Sequence, residues 1–177
     1  MTEPASQVAI AGSQTRYEVR GKKEIVFERT YDAPPERVFA TFIDPKLVAQ
    51  WWGSVGATLV VEAMDVRAGG KWRFIETDAK GKKSVFHGEY KAVEPPTRIA
   101  STFRYGGGIT GALMSFQETY EFLPVGDKTL LRLTSSYPMG FALKGMLSVG
   151  MDSPGKYTEG SRHQWRLDRL AALVGRK

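Results

Sequence analysis

About seven short runs with the alternation of β-strands, each closed by a turn signal, precede one helical stripe near the C-terminal end. That order restricts the fold more than any other feature of the chain. The runs fall at 24–31, 58–66, 71–77, 84–93, 98–105, 112–123 and 129–137. The separators include Gly69 with Gly70, Asp78 with Gly81, Pro95 with Pro96, Gly106 with Gly107 and Gly108, and Pro124 with Asp127. Glycine admits the left-handed backbone of tight turns, and proline withdraws an N–H from strand pairing. Connections this short join antiparallel neighbours, because parallel pairs need a crossover of a dozen or more residues.

Between 31 and 58 the period changes. Asp32 reads as a helix cap, with Pro34 and Pro35 in the first turn and Val38, Phe39 and Phe42 on one face. Asp44 and Pro45 restart the pattern, with Leu47, Val48 and Trp51. A helix is expected over 155–175, where Leu167, Leu170, Ala171 and Val174 form its apolar stripe. The expectation is an α+β fold: a curved antiparallel sheet of about seven strands around a long C-terminal helix, with two short helices after the first strand. Residues 1–22 read as a flexible tail with a short strand near 16–19, and 23–177 as the folded domain.

In AQWWGSVG, Trp51 and Trp52 are adjacent, and neither helix nor strand puts neighbours on one face. Trp51 follows Leu47 and Val48 by one turn and belongs to the buried stripe. Trp52 stands where Gly53 ends the helix and the chain turns into the next strand.

Composition excludes several classes. The chain has no cysteine, which removes disulfides, thiolate metal sites and a cysteine nucleophile. No apolar run reaches the roughly 18 residues of a membrane span. VAIAG is too short for the core of a secretory signal, so the cytoplasm is the expected location. The net charge of +6 comes from scattered residues. Arg162, Arg166 and Arg169 lie at helical spacing beside Glu159 and Asp168 and read as a solvated face, so no nucleic-acid partner is expected.

A sheet wrapped round one helix has a concave face wider than the helix fills, which suits an apolar ligand. Trp51, Trp52, Trp72, Phe74, Phe103, Phe116 and Tyr120 are candidates to line that space, with Met114 on the same face of its strand. His163 and Gln164 lie on the half of the helix that borders it. His163 reads as an exposed helix histidine, with a polar pocket contact as the alternative. Glu118 shares a face with Phe116 and Tyr120, so burial raises its pKa unless a cation pairs with it; Arg73, Arg104 and Arg132 are the candidates. His87 reads as outward-facing. Two histidines without cysteine make a poor zinc site, and no metal or other cofactor is expected. Gly106, Gly108 and Gly111 satisfy G-x-G-x-x-G but lead into an alternating run, which favours a hairpin over a dinucleotide site. Asp65 and Arg67 read as turn residues that pair with each other.

The segments RTYDAPPERVFATFIDPKLVAQWWG, DVRAGGKWRF, HGEYKAVEPPTRIASTF and EGSRHQWRLDRLAALV occur in order over roughly residues 24–174. Together they resemble the Aha1-like (activator of Hsp90 ATPase homologue) family of the START-like, or SRPBCC, superfamily. The resemblance implies the helix-grip (START/Bet v 1-like) fold and a deep pocket between sheet and helix. It implies no single activity, because that superfamily holds lipid carriers, receptors, cyclases and co-chaperone domains. The eukaryotic co-chaperone has a further N-terminal domain not seen in this sequence. Many relatives read WWGP where this chain has Ser54, and a looser path into the next strand is expected. Three functions follow as expectations. The first is binding of a small hydrophobic ligand in the sheet–helix space. The second is partnership with an Hsp90-type chaperone. The third is a cyclase- or hydrolase-type reaction using Glu118 or His163. Either a monomer or a homodimer formed through an edge strand is compatible with the pattern.

Overall fold

The computed structural model describes residues 14–21, 23–106, 115–137 and 159–175. Eight strands form one antiparallel sheet in the order β1-β2-β8-β7-β6-β5-β4-β3. They are β1 (Arg16–Arg20), β2 (Glu24–Tyr31), β3 (Thr58–Met64), β4 (Lys71–Thr77), β5 (Lys83–Glu94), β6 (Arg98–Tyr105), β7 (Ser115–Val125) and β8 (Lys128–Ser136). Among the described residues three helices cover one face: α1 (Pro35–Ile43), α2 (Pro45–Trp51) and α3 (Glu159–Val174). The strand beyond the expected seven is β1, which pairs with β2 from Arg16 opposite Glu28 to Arg20 opposite Glu24. It falls where a short strand near 16–19 was expected and adds an edge to the sheet beyond β2.

Alternation decides which side chains enter the core. In β4, Trp72, Phe74 and Glu76 are buried while Lys71 and Arg73 face out. In β7, Phe116, Glu118, Tyr120 and Phe122 go inward. Register shifts at Val61/Ala63 in β3 and Tyr90/Ala92 in β5 bend those strands, since a bulge adds a residue on one side and sharpens the local twist. The sheet therefore curves over the helices. Leu167, Leu170 and Val174 bury the expected stripe of α3.

The helix caps differ from the sequence expectation in one place. Asp44 caps α2 by accepting the Lys46 N–H at 2.8 Å. Asp32 caps nothing: Pro34 is the N-cap of α1, and Asp32 pairs with Lys128 at 2.6 Å on the surface. Two prolines make a side-chain cap dispensable, because the first-turn N–H groups need no helical partner.

The segment before β1 is fastened to α3. Gln164 Nε2 donates to the Thr15 carbonyl oxygen at 2.9 Å, and Thr15 Oγ1 donates to Asp168 Oδ1 at 3.1 Å. The Arg29 guanidinium, from β2, donates to Thr15 Oγ1 at 3.2 Å and also pairs with Asp168. Beside this clasp, the Tyr31 hydroxyl donates to the Leu167 carbonyl oxygen at 3.0 Å. No helix among the described residues is long and apolar enough to cross a membrane.

Candidate functional site

The two neighbouring tryptophans both point inward, in different directions. Trp51 ends α2 and packs on Phe42 of α1, with ring centroids 4.6 Å apart, and its indole N–H donates to the Thr41 carbonyl oxygen at 3.1 Å. Trp52 is the C-cap of α2 and keeps helical dihedrals, with its N–H on the Val48 carbonyl oxygen, so its side chain stands about 100° round the axis from Trp51 and faces β4, β5 and β6. There it meets Phe74 at 5.0 Å, Phe86 at 5.1 Å, Phe103 at 5.9 Å and Trp72 at 6.2 Å. The Arg166 guanidinium of α3 lies 3.7 Å from the centre of the Trp52 ring. Arg166 is 1 % exposed, which corrects its reading as part of a solvated face. An aromatic face accepts a buried guanidinium through its negative quadrupole, and the stem of arginine is itself apolar.

Trp72 needs a glycine opposite it. A Cβ at Gly88, its partner across β4 and β5, would lie 2.7 Å from the Trp72 indole nitrogen and 1.9 Å from the Thr102 carbonyl oxygen. The path from Trp52 into β3 is held by an unexpected bond: buried Glu76 accepts the Ser54 N–H at 2.7 Å. A proline at that position has no N–H to give, so Ser54 fixes this corner rather than loosening it.

Within this shell lies a cavity of about 40 Å³. Of the sequence candidates, Trp51, Trp52, Trp72, Phe74, Glu118 and Tyr120 stand in its wall. The wall also contains Phe42, Val48, Met64, Tyr90, Ile99 and Ser101. Tyr90 and Met64 lay on runs already read as strands, but alternation alone could not assign them to this wall. Phe103 and Phe116 stack on each other at 4.4 Å behind it. Gln164 serves the clasp on Thr15 instead, and Met114 lies outside the described residues. Among the described residues the space is much narrower than the deep pocket expected, because aromatic rings occupy most of it.

The polar pole of this space is Glu118. It is 3 % exposed; its Oε2 accepts the Tyr120 hydroxyl at 2.8 Å, and its Oε1 lies 3.4 Å from His163 Nε2. His163 is 1 % exposed and packs its ring 4.9 Å from Phe27, so it is a core residue of α3 rather than an exposed one. The partner of Glu118 is therefore an imidazole and not an arginine. Arg73 pairs with Glu62, Arg132 pairs with Glu28 and Glu121, and Arg104 is exposed, all on the opposite face of the sheet. Burial pushes the Tyr90 phenol well above its usual pKa.

The remaining sequence candidates are bland. His87 is half-buried, with Nε2 at 2.9 Å from the Gly106 carbonyl oxygen. Gly106, at φ +71°, leaves β6, and β6 pairs antiparallel with β7, so the glycine motif joins two strands; Gly108 and Gly111 lie outside the described residues. Asp65 and Arg67 form an exposed pair at 2.9 Å. Among the described residues no group of three or more His, Asp or Glu side chains is arranged to hold a metal ion. A separate open groove of about 680 Å³ runs along β4 and β5, with Lys71, Arg73, Lys83 and His87 in its lining.

A curved antiparallel sheet gripping a C-terminal helix over an aromatic interior defines a helix-grip protein. The sequence model of the family described as Activator of Hsp90 ATPase homolog 1-like protein matches residues 32–175, and the chain belongs to that family. No curated protein matches the sequence. Among solved structures, a protein from Rhodobacter sphaeroides superposes with a TM-score of 0.76 at 20 % identity, covering 89 % of this chain and 96 % of its own. A solution structure from Arthrobacter aurescens gives 0.75 at 18 % identity, with 96 % and 90 % covered. A crystal structure from Chromobacterium violaceum gives 0.70 at 27 % identity, with 87 % and 98 % covered.

Proposed function

We propose that the protein binds a small, largely apolar molecule between the sheet and α3, with Trp52, Trp72 and Phe74 around it and Glu118 at its polar end. One observation carries this reading: a nearly fully buried carboxylate stands in the wall of an aromatic cavity. A core that needed only packing gains nothing from a carboxyl group whose Oε1 is buried without a hydrogen bond, because leaving such an atom unsatisfied is costly. A carboxylate among aromatic rings is instead the composition of a small-molecule site, apolar with a few placed polar groups.

The volume sets a further condition. A cavity of about 40 Å³ holds about three waters. A larger guest therefore displaces aromatic rings as it enters, and binding must register at the tryptophans. Native mass spectrometry of gently purified protein should detect a bound small molecule. Adding an apolar compound such as benzene should shift the indole N–H resonances of Trp52 and Trp72. A protein that carries no guest and leaves these resonances unmoved across a panel of small aromatic compounds does not have this function.

A second reading rests on the family's description: association with an Hsp90-type ATPase. The open basic groove along β4 and β5 supplies a surface for an acidic partner. This reading requires the ATPase rate of such a chaperone to change on mixing. An unchanged rate together with no co-purification removes it.

A further inference from the structure

We infer that the group recognised at the cavity's polar end is a neutral hydrogen-bond donor, a hydroxyl or phenol, received by Glu118 Oε1, and that carboxylic acids are excluded. This rests on the small-molecule reading above and specifies the chemistry of the same site.

The first ground is the inventory of acceptors. Glu118 Oε2 already accepts from Tyr120 at 2.8 Å. Oε1 is buried and makes no hydrogen bond. His163 Nε2, at 3.4 Å, lies beyond an ordinary N–H···O bond. A buried carboxylate oxygen left in this state is costly, and a donor arriving from the cavity relieves it. Ser101, also buried in the wall, offers a second hydroxyl that can accept from or donate to the same guest.

The second ground is charge. No Lys or Arg lines the cavity among the described residues, so an entering carboxylate meets Glu118 with no cation in the wall. A cation is disfavoured for the opposite reason: Arg166 already lies 3.7 Å from the Trp52 ring centre, so a second positive charge would face it across that indole. A neutral donor escapes both penalties. The free volume of about 40 Å³ admits a hydroxyl beside Glu118, and the ring that bears it must displace aromatic side chains of the wall.

Phenol, benzene and benzoate share a ring and differ only in this group. Each is titrated into the protein while the indole N–H resonances are followed; Trp51, Trp52 and Trp72 line the cavity, and Trp165, which does not, is the internal control. Phenol should bind about tenfold more tightly than benzene, the worth of one hydrogen bond to a buried charged acceptor, and benzoate more weakly than either. Glu118→Leu should equalise phenol and benzene. Glu118→Gln, which keeps an acceptor and the side-chain shape, should retain part of the phenol preference and relieve the penalty on benzoate. If Glu118→Leu does not fold, the Gln variant alone decides. The inference is overturned if wild-type protein binds phenol and benzene equally, if benzoate binds as well as phenol, or if neither variant changes the order. In those cases binding itself still supports the small-molecule reading. If none of the three compounds binds, both proposals fall.

Discussion

Trp52 connects the helices to the sheet through a single side chain. Its indole touches rings from β4, β5 and β6 on one side and carries the Arg166 guanidinium of α3 on the other. Replacing it with leucine leaves a void and removes the surface on which that guanidinium rests. Trp52→Leu is therefore expected to lower stability by about 3 kcal/mol, within the range of large-to-small core substitutions. Trp51→Phe keeps a ring against Phe42 and loses the bond to the Thr41 carbonyl, which is expected to cost about 1 kcal/mol. Urea midpoints at constant m check both. The sequence placed Trp51 correctly because helical spacing tied it to Val48. It could not place Trp52, because the rings of β4, β5 and β6 that receive it are brought there only by the sheet. Arg166 was misread for a related reason: spacing alone does not reveal that an aromatic face waits opposite.

Between elements, the contact with least trace in the sequence is the clasp of Thr15, Arg29, Gln164 and Asp168. Its members come from the segment before β1, from β2 and from α3, and Thr15 and Asp168 are 153 residues apart. Nothing local in a polar segment announces a partner so distant. Thr15→Val keeps the side-chain shape and deletes a hydroxyl that both donates and accepts, at an expected cost of about 1 kcal/mol. The loss should be localised: amide hydrogen exchange should quicken in α3 and β1 and stay unchanged in β5 and β6. Thr15→Ser should restore protection, and a uniform change across the sheet would contradict a local role. The strands, by contrast, were legible almost throughout. Each carries its own alternation and its own turn, and β3 to β6 match the expected runs to within a residue or two.

For the molecule as a whole, stability should fall in alkaline solution. Burial holds the phenols of Tyr31 and Tyr90 protonated far above their usual pKa near 10. Once the pH passes about 10, the unfolded chain releases these protons and the folded chain keeps them. The unfolded state then binds fewer protons, and stability declines by about 1.4 kcal/mol per pH unit for each tyrosine. Below that pH the two groups contribute no slope. Urea midpoints measured between pH 9 and pH 12 should show this bend, and Tyr31→Phe or Tyr90→Phe should each reduce it by about half. The site itself was only partly legible. Aromatic composition identified much of the cavity wall, but the volume those rings leave depends on their rotamers, which no sequence pattern encodes.

Thr15 touches α3 at Gln164 and Asp168, and from Asp168 the helix runs only about 9 Å further to Val174. The first and last described residues thus emerge at one corner. A short linker joining them would turn the backbone into a ring with the interior undisturbed. Fresh ends opened in the exposed bend around Lys80 and Gly81, far from Glu118 in chain order, would then yield a permuted protein with the same architecture.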